Sequence, residues 1–375
     1  MTTADFKPGL EGVVAGISAI SEVDAERNQL IYRGYDIHQL VSLCSFEEVA
    51  FLMLHGSLPR PDELAEFDRA VRRQRDVPEH IFEFFRHVPA DAHPMDTLKA
   101  AVAILALTDP DRHDDSHAAN VRKATRLFAQ IPNVVVNGYR VPQGQAPIAP
   151  RSDLNHNQNF FYMLTGHAPS GEFEKVFNAT QILYAEHGFN ASTFAARVTV
   201  ATLSDLYSGV VSAIGTLKGS LHGGANEAAM EMLLEIGDPS NAAAWVQDAL
   251  TNKKKIMGFG HREYKHGDER AKIVKQYVVD LGKSLGDTRL SEVSQIVEDE
   301  MLRAKGLFPN VDFPVASLYY LMGIPVPLYT PIFVMSRVTG WSAHIIEQLD
   351  NNRLYRPKSE YNGPRGLTVQ PIADR

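Results

Sequence analysis

Apolar residues recur at helical spacing along most of the chain, and stretches that alternate apolar with polar positions are scarce. Ser45 to Gly56, SFEEVAFLMLHG, predicts a helix with both ends marked: Ser45 and Glu48 form a capping-box pair, and a glycine stops the run. Pro61 to Arg75 carries Asp62 and Glu63 in its first turn and Arg69, Arg72, Arg73 and Arg75 in its last, the charge order that a helix dipole favours. Pro94 to Leu107 and Phe173 to Ala185 read the same way. Phe194 to Leu217 is weakly charged and rich in Ala, Val, Thr and Ser, which predicts one helix with little polar face in the middle of a domain. Phe313 to Ser336 holds no charge over about the length of a membrane span. Pro314, Pro325, Pro327 and Pro331 interrupt it, so the pattern predicts a buried helix, a turn and a second buried helix rather than a transmembrane segment. Strand signals are confined to Ala15 to Ile20 with Gln29 to Tyr32, a small hairpin around Asp24 to Asn28. Asp109 to Ser116 and Gly138 to Asp153 read as surface loops, and a second, smaller helical domain is expected after His222, up to about Gly323.

A chain of 375 residues suffices for one large domain or two unequal ones with a sizeable core. An apolar fraction of 44% and a charged fraction of 22% are those of a globular protein. The formal net charge of -8 argues against a nucleic-acid partner. It leaves anionic small molecules open, because local Arg and His clusters bind those whatever the global sign. The single cysteine, Cys44, rules out an intrachain disulfide and suits a reducing cytosol, where it reads as a small core side chain. Asp5 and Glu11 stand where a secretory signal would be basic and then apolar, so a cytoplasmic location is expected.

Several chemistries lack their motifs. The residue six before Lys283 is Tyr277 rather than Gly, so Leu281 to Ser284 reads as a helix end and not a phosphate loop. There is no HExxH or CxxC, and His261 and His266 stand five apart, on different faces of a helix, so no metal site is expected. Three stretches carry unusual residues. Gly219 to Glu227, GSLHGGANE, puts a Gly-Gly step directly after His222, which implies a tight turn or the approach of a ligand to the ring. Lys253 to Lys265 places cations on both sides of Gly258-Phe259-Gly260-His261, a turn suited to a phosphate-bearing ligand. Phe308 to Pro314 sets Asp312 between apolar residues, where burial would raise its pKa toward that of a useful base.

GSLHGGANE, GFGHREYKHGDERA, FPNVDF, TPIFVMSRVTGWSAHIIEQ and RLYRPKSEYNGP together resemble the citrate synthase family, in its compact bacterial form close to the 2-methylcitrate synthases. The likeness runs from GLEGVVAG and LIYRGYDI near the start to YNGP near the end. It implies an all-α fold in which a large helical domain, residues 1–223 and 324–375, and a smaller one, 224–323, close over the active site of a homodimer. A start almost directly at GLEGV sets the expectation that the chain lacks the N-terminal extension of some hexameric, NADH-regulated members.

The implied reaction condenses the methyl carbon of an acyl-CoA with the ketone of oxaloacetate, and both are substrates, so no cofactor is expected. By resemblance, Asp312 is the base, His222 donates a hydrogen bond to the thioester oxygen, and His261 polarises the ketone. The glycines after His222 are expected to give the thioester room against the ring. Arg270, Arg337 and Arg356, with His187 as an added donor, take the carboxylates of oxaloacetate, and Arg356 is expected to reach into the partner subunit's site. CoA is expected along Ile256, Gly258, Phe259 and Gly260, with Arg262 and Lys265 near its phosphates. Pro314 departs from the family pattern and sets the expectation of a locally different loop after Asp312, whereas Asp268-Glu269-Arg270 keeps the usual spacing to its arginine. Citrate synthase is the main reading. 2-Methylcitrate synthase, which takes propionyl-CoA, stays open because one methylene is worth only about 1–3 kcal/mol of discrimination. A non-catalytic CoA-binding member and a chelator-sensitive metal hydrolase are the remaining alternatives.

Overall fold

The computed structural model describes residues 6–264 and 266–375. Among the described residues the chain forms sixteen α-helices and one three-stranded antiparallel sheet, β1 (Ser21–Asp24), β2 (Gln29–Tyr32) and β3 (Tyr35–Asp36). The first eight helices are α1 (Ile37–Leu43), α2 (Phe46–His55), α3 (Pro61–Arg73), α4 (Glu79–Arg86), α5 (Pro94–Thr108), α6 (His117–Arg140), α7 (His156–Thr165) and α8 (Gly171–Tyr184). The other eight are α9 (Ala191–Val200), α10 (Leu206–Leu217), α11 (Ala225–Ile236), α12 (Pro239–Thr251), α13 (Glu269–Leu285), α14 (Arg289–Lys305), α15 (Asp312–Leu321) and α16 (Tyr329–Asp350).

Capping chemistry explains the best-marked ends. Ser45 and Glu48 close a reciprocal capping box on α2, and Gly56 ends it at φ 87°. Gly286, at φ 73°, ends α13, so Leu281 to Ser284 is a last helical turn. The uncharged run from Phe313 resolves into α15, a 3₁₀ turn at Val326–Leu328 and α16. Among the described residues no helix is long and apolar enough to cross a membrane. α16 is buried along almost its whole length and packs against α6, α8, α9 and α10, while α15 packs against α13 and α11.

Three sequence expectations are corrected. The partner of Gln29 to Tyr32 is Ser21 to Asp24, not Ala15 to Ile20. The reason is the turn: Asp24 Oδ1 accepts from the amides of Glu26 and Arg27, and Asn28 takes a positive φ of 54°, so pairing starts at Asp24 opposite Gln29. It ends with Arg33 N–H on the carbonyl of Ile20, where Arg33 and Gly34 swing the chain into β3. Phe194 to Leu217 is two helices, because Leu203 enters the left-handed region at φ 66° and the Asp205 carboxylate caps α10 by accepting from Ser208 N. The predicted loop from Gly138 begins only at Val141. Gly138 lies inside α6, where a side chain would stand 3.2 Å from Phe85 and Thr97.

Candidate active site

His222 sits in the turn between α10 and α11. A Cβ on Gly223 would lie 2.6 Å from Leu217 Cδ1, and one on Gly224 would lie 2.8 Å from the Lys218 carbonyl oxygen. The glycines therefore let the turn fold back on the end of α10, the tight turn that their spacing implied. They fix where the imidazole stands. Its Nε2 accepts from the Ser192 amide at 3.3 Å and lies 2.8 Å from the Ser192 hydroxyl, which also receives the Trp341 indole N–H at 3.1 Å. An amide can only donate, so Nε2 carries the lone pair and the ring proton is assigned to Nδ1. Burial, with help from the Arg337 charge, pushes the His222 pKa down to about 3. The ring is a neutral donor.

Asp312 is the first residue of α15 and 9% exposed. Its Oδ1 accepts from the Tyr184 hydroxyl at 2.9 Å, and its own amide donates to Asn310 Oδ1 at 3.1 Å. Burial pushes its pKa up to about 6, against the pull of the Tyr184 hydrogen bond and the Arg270 charge. Pro314 falls in the first turn of α15, where a backbone N–H has no helical partner, so the proline continues the helix instead of reshaping the loop.

His261 presents the opposite tautomer. Its Nδ1 accepts from the amides of Glu263 at 3.1 Å and Tyr264 at 3.2 Å, which assigns the proton to Nε2. Burial and the Arg270 charge lower its pKa to about 4. Its ring stands edge-on to His187 at 5.0 Å, and His187 meets the Tyr264 hydroxyl at 3.3 Å. A pocket of about 230 Å³ opens beside it, lined by Gly260, His261, Tyr264, Asp268, Phe308 and Pro309 among others.

Two buried arginines complete the cluster. Arg270 is forked onto Asp268 at 3.0 and 2.7 Å, and Asp268 Oδ2 also accepts from the Val311 amide at 3.1 Å, one residue before the candidate base. Arg337 donates from Nε to the Tyr184 carbonyl at 2.6 Å, and its guanidinium lies 4.7 Å from the Phe333 ring centroid. Burial lowers its pKa to about 10, opposed by the Glu186 charge. The Arg337 charge is felt at His187, His222 and Asp312, so these side chains share one electrostatic environment.

The remaining predicted residues are placed differently. Gly258 and Gly260 brace the 308–310 segment: Gly260 N–H donates to the Phe308 carbonyl and Asn310 N–H to the Gly258 carbonyl, both at 2.9 Å. The Gly260 amide is thus committed within the chain and not offered to a phosphate. Ile256 is buried, Phe259 packs on Phe313 at 4.7 Å, and Arg262 is exposed with Nη1 toward the Gly9 carbonyl. Lys265 lies outside the described residues. Arg356 is exposed in the C-terminal segment and donates to the carbonyl of its neighbour Pro357 at 2.7 Å. The fold brings His187, His222, His261, Arg270, Arg337 and Asp312 into one cluster and leaves this chain's Arg356 on the surface.

Sequence reasoning missed Tyr184, Ser192 and Asn310, and gave Asp268 no role beyond its spacing to Arg270. Only Asn310 had a local signal, standing two residues before Asp312, where an Asn side chain can accept from the backbone two positions on. Among the described residues no three His, Cys, Asp or Glu side chains group to hold a metal ion. What the cluster offers is a buried carboxylate poised to take a proton, two neutral imidazole donors, and cations for an anionic substrate.

The family model described as citrate synthase, C-terminal domain, matches residues 9–358. The chain is 48% identical over 359 residues to a 2-methylcitrate synthase of Mycobacterium tuberculosis, covering 96% of this chain and 91% of that protein. It is 46% identical over 368 residues to citrate synthase 2 of Bacillus subtilis, covering 98% of each. Its fold matches the structure of a ternary complex of carboxymethyl coenzyme A and oxaloacetate with citrate synthase from Thermoplasma acidophilum. The TM-score is 0.95 at 33% identity, over 99% of this chain and 100% of that one.

Proposed function

Because the chain belongs to the citrate synthase family, we propose that it condenses acetyl-CoA with oxaloacetate and hydrolyses the product to citrate and CoA. In enzyme-class terms it is an acyltransferase that converts the acyl group to alkyl on transfer. The observation that carries this reading is the pairing of Asp312, raised to about 6, with two histidines whose lone pairs are committed to backbone amides.

Asp312 takes a proton from the acetyl methyl group, while Nδ1–H of His222 donates to the thioester oxygen on which the enolate charge develops. A neutral donor suits this step because its proton points at the substrate before the charge appears. The enolate carbon then attacks the ketone carbon of oxaloacetate, and Nε2–H of His261 donates to the ketone oxygen as it becomes the hydroxyl of the product. Water cleaves the citryl thioester and releases CoA. Arg270, Arg337 and His187 bind the carboxylates of oxaloacetate, with no cofactor required. Residues 224–323 form the domain that closes over this site, and the working unit is a homodimer in which Arg356 completes the partner subunit's site. CoA lies near the 256–260 turn, held by side chains and by whichever backbone groups that turn leaves free. The proposed location is the cytoplasm.

The 2-methylcitrate reading, with propionyl-CoA as donor, is favoured by the name of the M. tuberculosis relative. Thiol release from acetyl-CoA and from propionyl-CoA, each with oxaloacetate and with and without chelator, decides between them. Faster turnover of acetyl-CoA, unaffected by chelator, is the expected result. A preference for propionyl-CoA transfers the assignment, and silence with both refutes catalysis.

A further inference from the structure

We infer that Tyr184 is the positioning residue of the base: its hydroxyl pins Oδ1 of Asp312 and leaves Oδ2 as the oxygen that takes the substrate proton. Tyr184 is the last residue of α8, and Asp312 lies 128 positions further along the chain, at the start of α15. The phenol is held from several sides. Its ring stacks on Phe333 at 3.9 Å with 21° between planes, and its carbonyl receives Arg337 Nε–H at 2.6 Å. Arg337 in turn lies over Phe333, so one tyrosine is fastened at its backbone to a carboxylate-binding arginine and at its hydroxyl to the carboxylate base.

The direction of this hydrogen bond is fixed. Burial and the neighbouring Asp312 charge drive the Tyr184 phenol well above the ordinary tyrosine range, so the proton stays on the tyrosine and the bond runs toward the carboxylate. A donor that always faces Oδ1 favours the ionised carboxylate and restricts its rotation. The other charged or titratable groups acting on Asp312 are Asp268 and Arg270 at the start of α13, Arg337 on α16 and Tyr319 on α15 itself. None of these donates a hydrogen bond to it that would substitute for the phenol.

For turnover the inference rests on the function proposed above, but the protonation of Asp312 does not, and the test uses that difference. Tyr184→Phe keeps the stack and the backbone carbonyl and removes the donor alone. The Asp312 carboxyl is titrated by infrared difference spectroscopy in the full chain, its band identified by its loss in Asp312→Asn. In Tyr184→Phe the midpoint is expected to rise by about one pH unit, the size of a lost hydrogen bond to a charged group. The acid limb of the kcat/KM profile should move up with it, and kcat should fall about 10- to 100-fold as the base loses its aim. KM for oxaloacetate should not change, because the carbonyl that holds Arg337 remains. An unmoved midpoint overturns the inference, and so does a loss confined to oxaloacetate binding. A shifted midpoint in a chain whose wild type shows no turnover refutes the proposed reaction and leaves the positioning role standing. 3-Fluorotyrosine at position 184 keeps the shape and strengthens the donor, so it should lower the midpoint. No change there overturns the inference even if Tyr184→Phe fails to fold.

Discussion

A carboxylate raised to about 6 at a buried position is a local cost of the fold, and Asp312 bears it at every pH where it is ionised. The unfolded chain holds this group near the ordinary aspartate value of about 3.9, so between roughly pH 4 and 6 the native state binds more protons than the unfolded one. Its contribution to stability is therefore fully present below the unfolded value and is lost as pH rises through 6. Asp312→Asn, which cannot ionise and still accepts from Tyr184, is expected to abolish proton abstraction while leaving oxaloacetate binding intact. It should also stabilise the protein at pH 7.5 by on the order of 2–3 kcal/mol, a difference that closes toward pH 4. Thermal unfolding of wild type and variant across that range checks the second claim. A variant no more stable than wild type at pH 7.5 would mean that burial does not strain this carboxylate, and near-normal turnover would remove it as the base.

The elements around the site are held by close approaches that decide which substitutions each turn tolerates. At the His222 turn the two glycines differ in what they meet first: a Cβ on Gly223 would press on the buried Leu217 side chain, with the Leu217 carbonyl behind it at 3.0 Å, whereas one on Gly224 would meet the Lys218 backbone carbonyl directly. Gly223→Ala is expected to cost about 1–3 kcal/mol as an overpacked contact. It should also lower kcat by shifting the turn, and Leu217→Ala, which removes the side chain but keeps the Leu217 carbonyl, should restore part of that loss. Gly224→Ala should displace His222 and cut kcat with no such rescue, and equal rescue of both variants would show that the turn is not placed this way. The same distinction explains what was legible in the sequence. Caps and stops are local chemistry, so α2 was readable from Ser45, Glu48 and Gly56, and the motif histidines, arginines and Asp312 fell within recognisable stretches. The break between α9 and α10 rests on Asp205 and Ser208 at one short turn inside an otherwise uniform run, where helical periodicity outweighed a cap. Tyr184 left no trace, because its meaning depends on the end of α8 meeting the start of α15. The glycines beside His222 were readable as a tight turn, but the groups that demand it, Leu217 and the Lys218 carbonyl, are known only from the folded chain.

At the scale of the whole molecule, one chain gathers two of the three predicted carboxylate-binding arginines, Arg270 and Arg337, and leaves Arg356 exposed in a segment after α16 that contains only a short 3₁₀ turn. That segment also exposes Leu354, Leu367, Val369 and Ile372 at 57%, 78%, 82% and 80%, apolar surface open to an interface. If Arg356 serves the partner's site, Arg356→Ala and Arg270→Ala are each inactive as homodimers, yet their mixture is not. In a mixed dimer the subunit that keeps Arg270 receives Arg356 from its partner, so one of the two sites is whole while the other carries both defects. Random exchange at equal concentrations makes half of the dimers mixed, so about a quarter of wild-type activity should return. Differently tagged subunits report that exchange has taken place, and a mixture that exchanges without regaining activity places Arg356 with its own chain. The mixture measures in one number both the dimer and the origin of its third arginine, because recovery requires a site assembled from two chains.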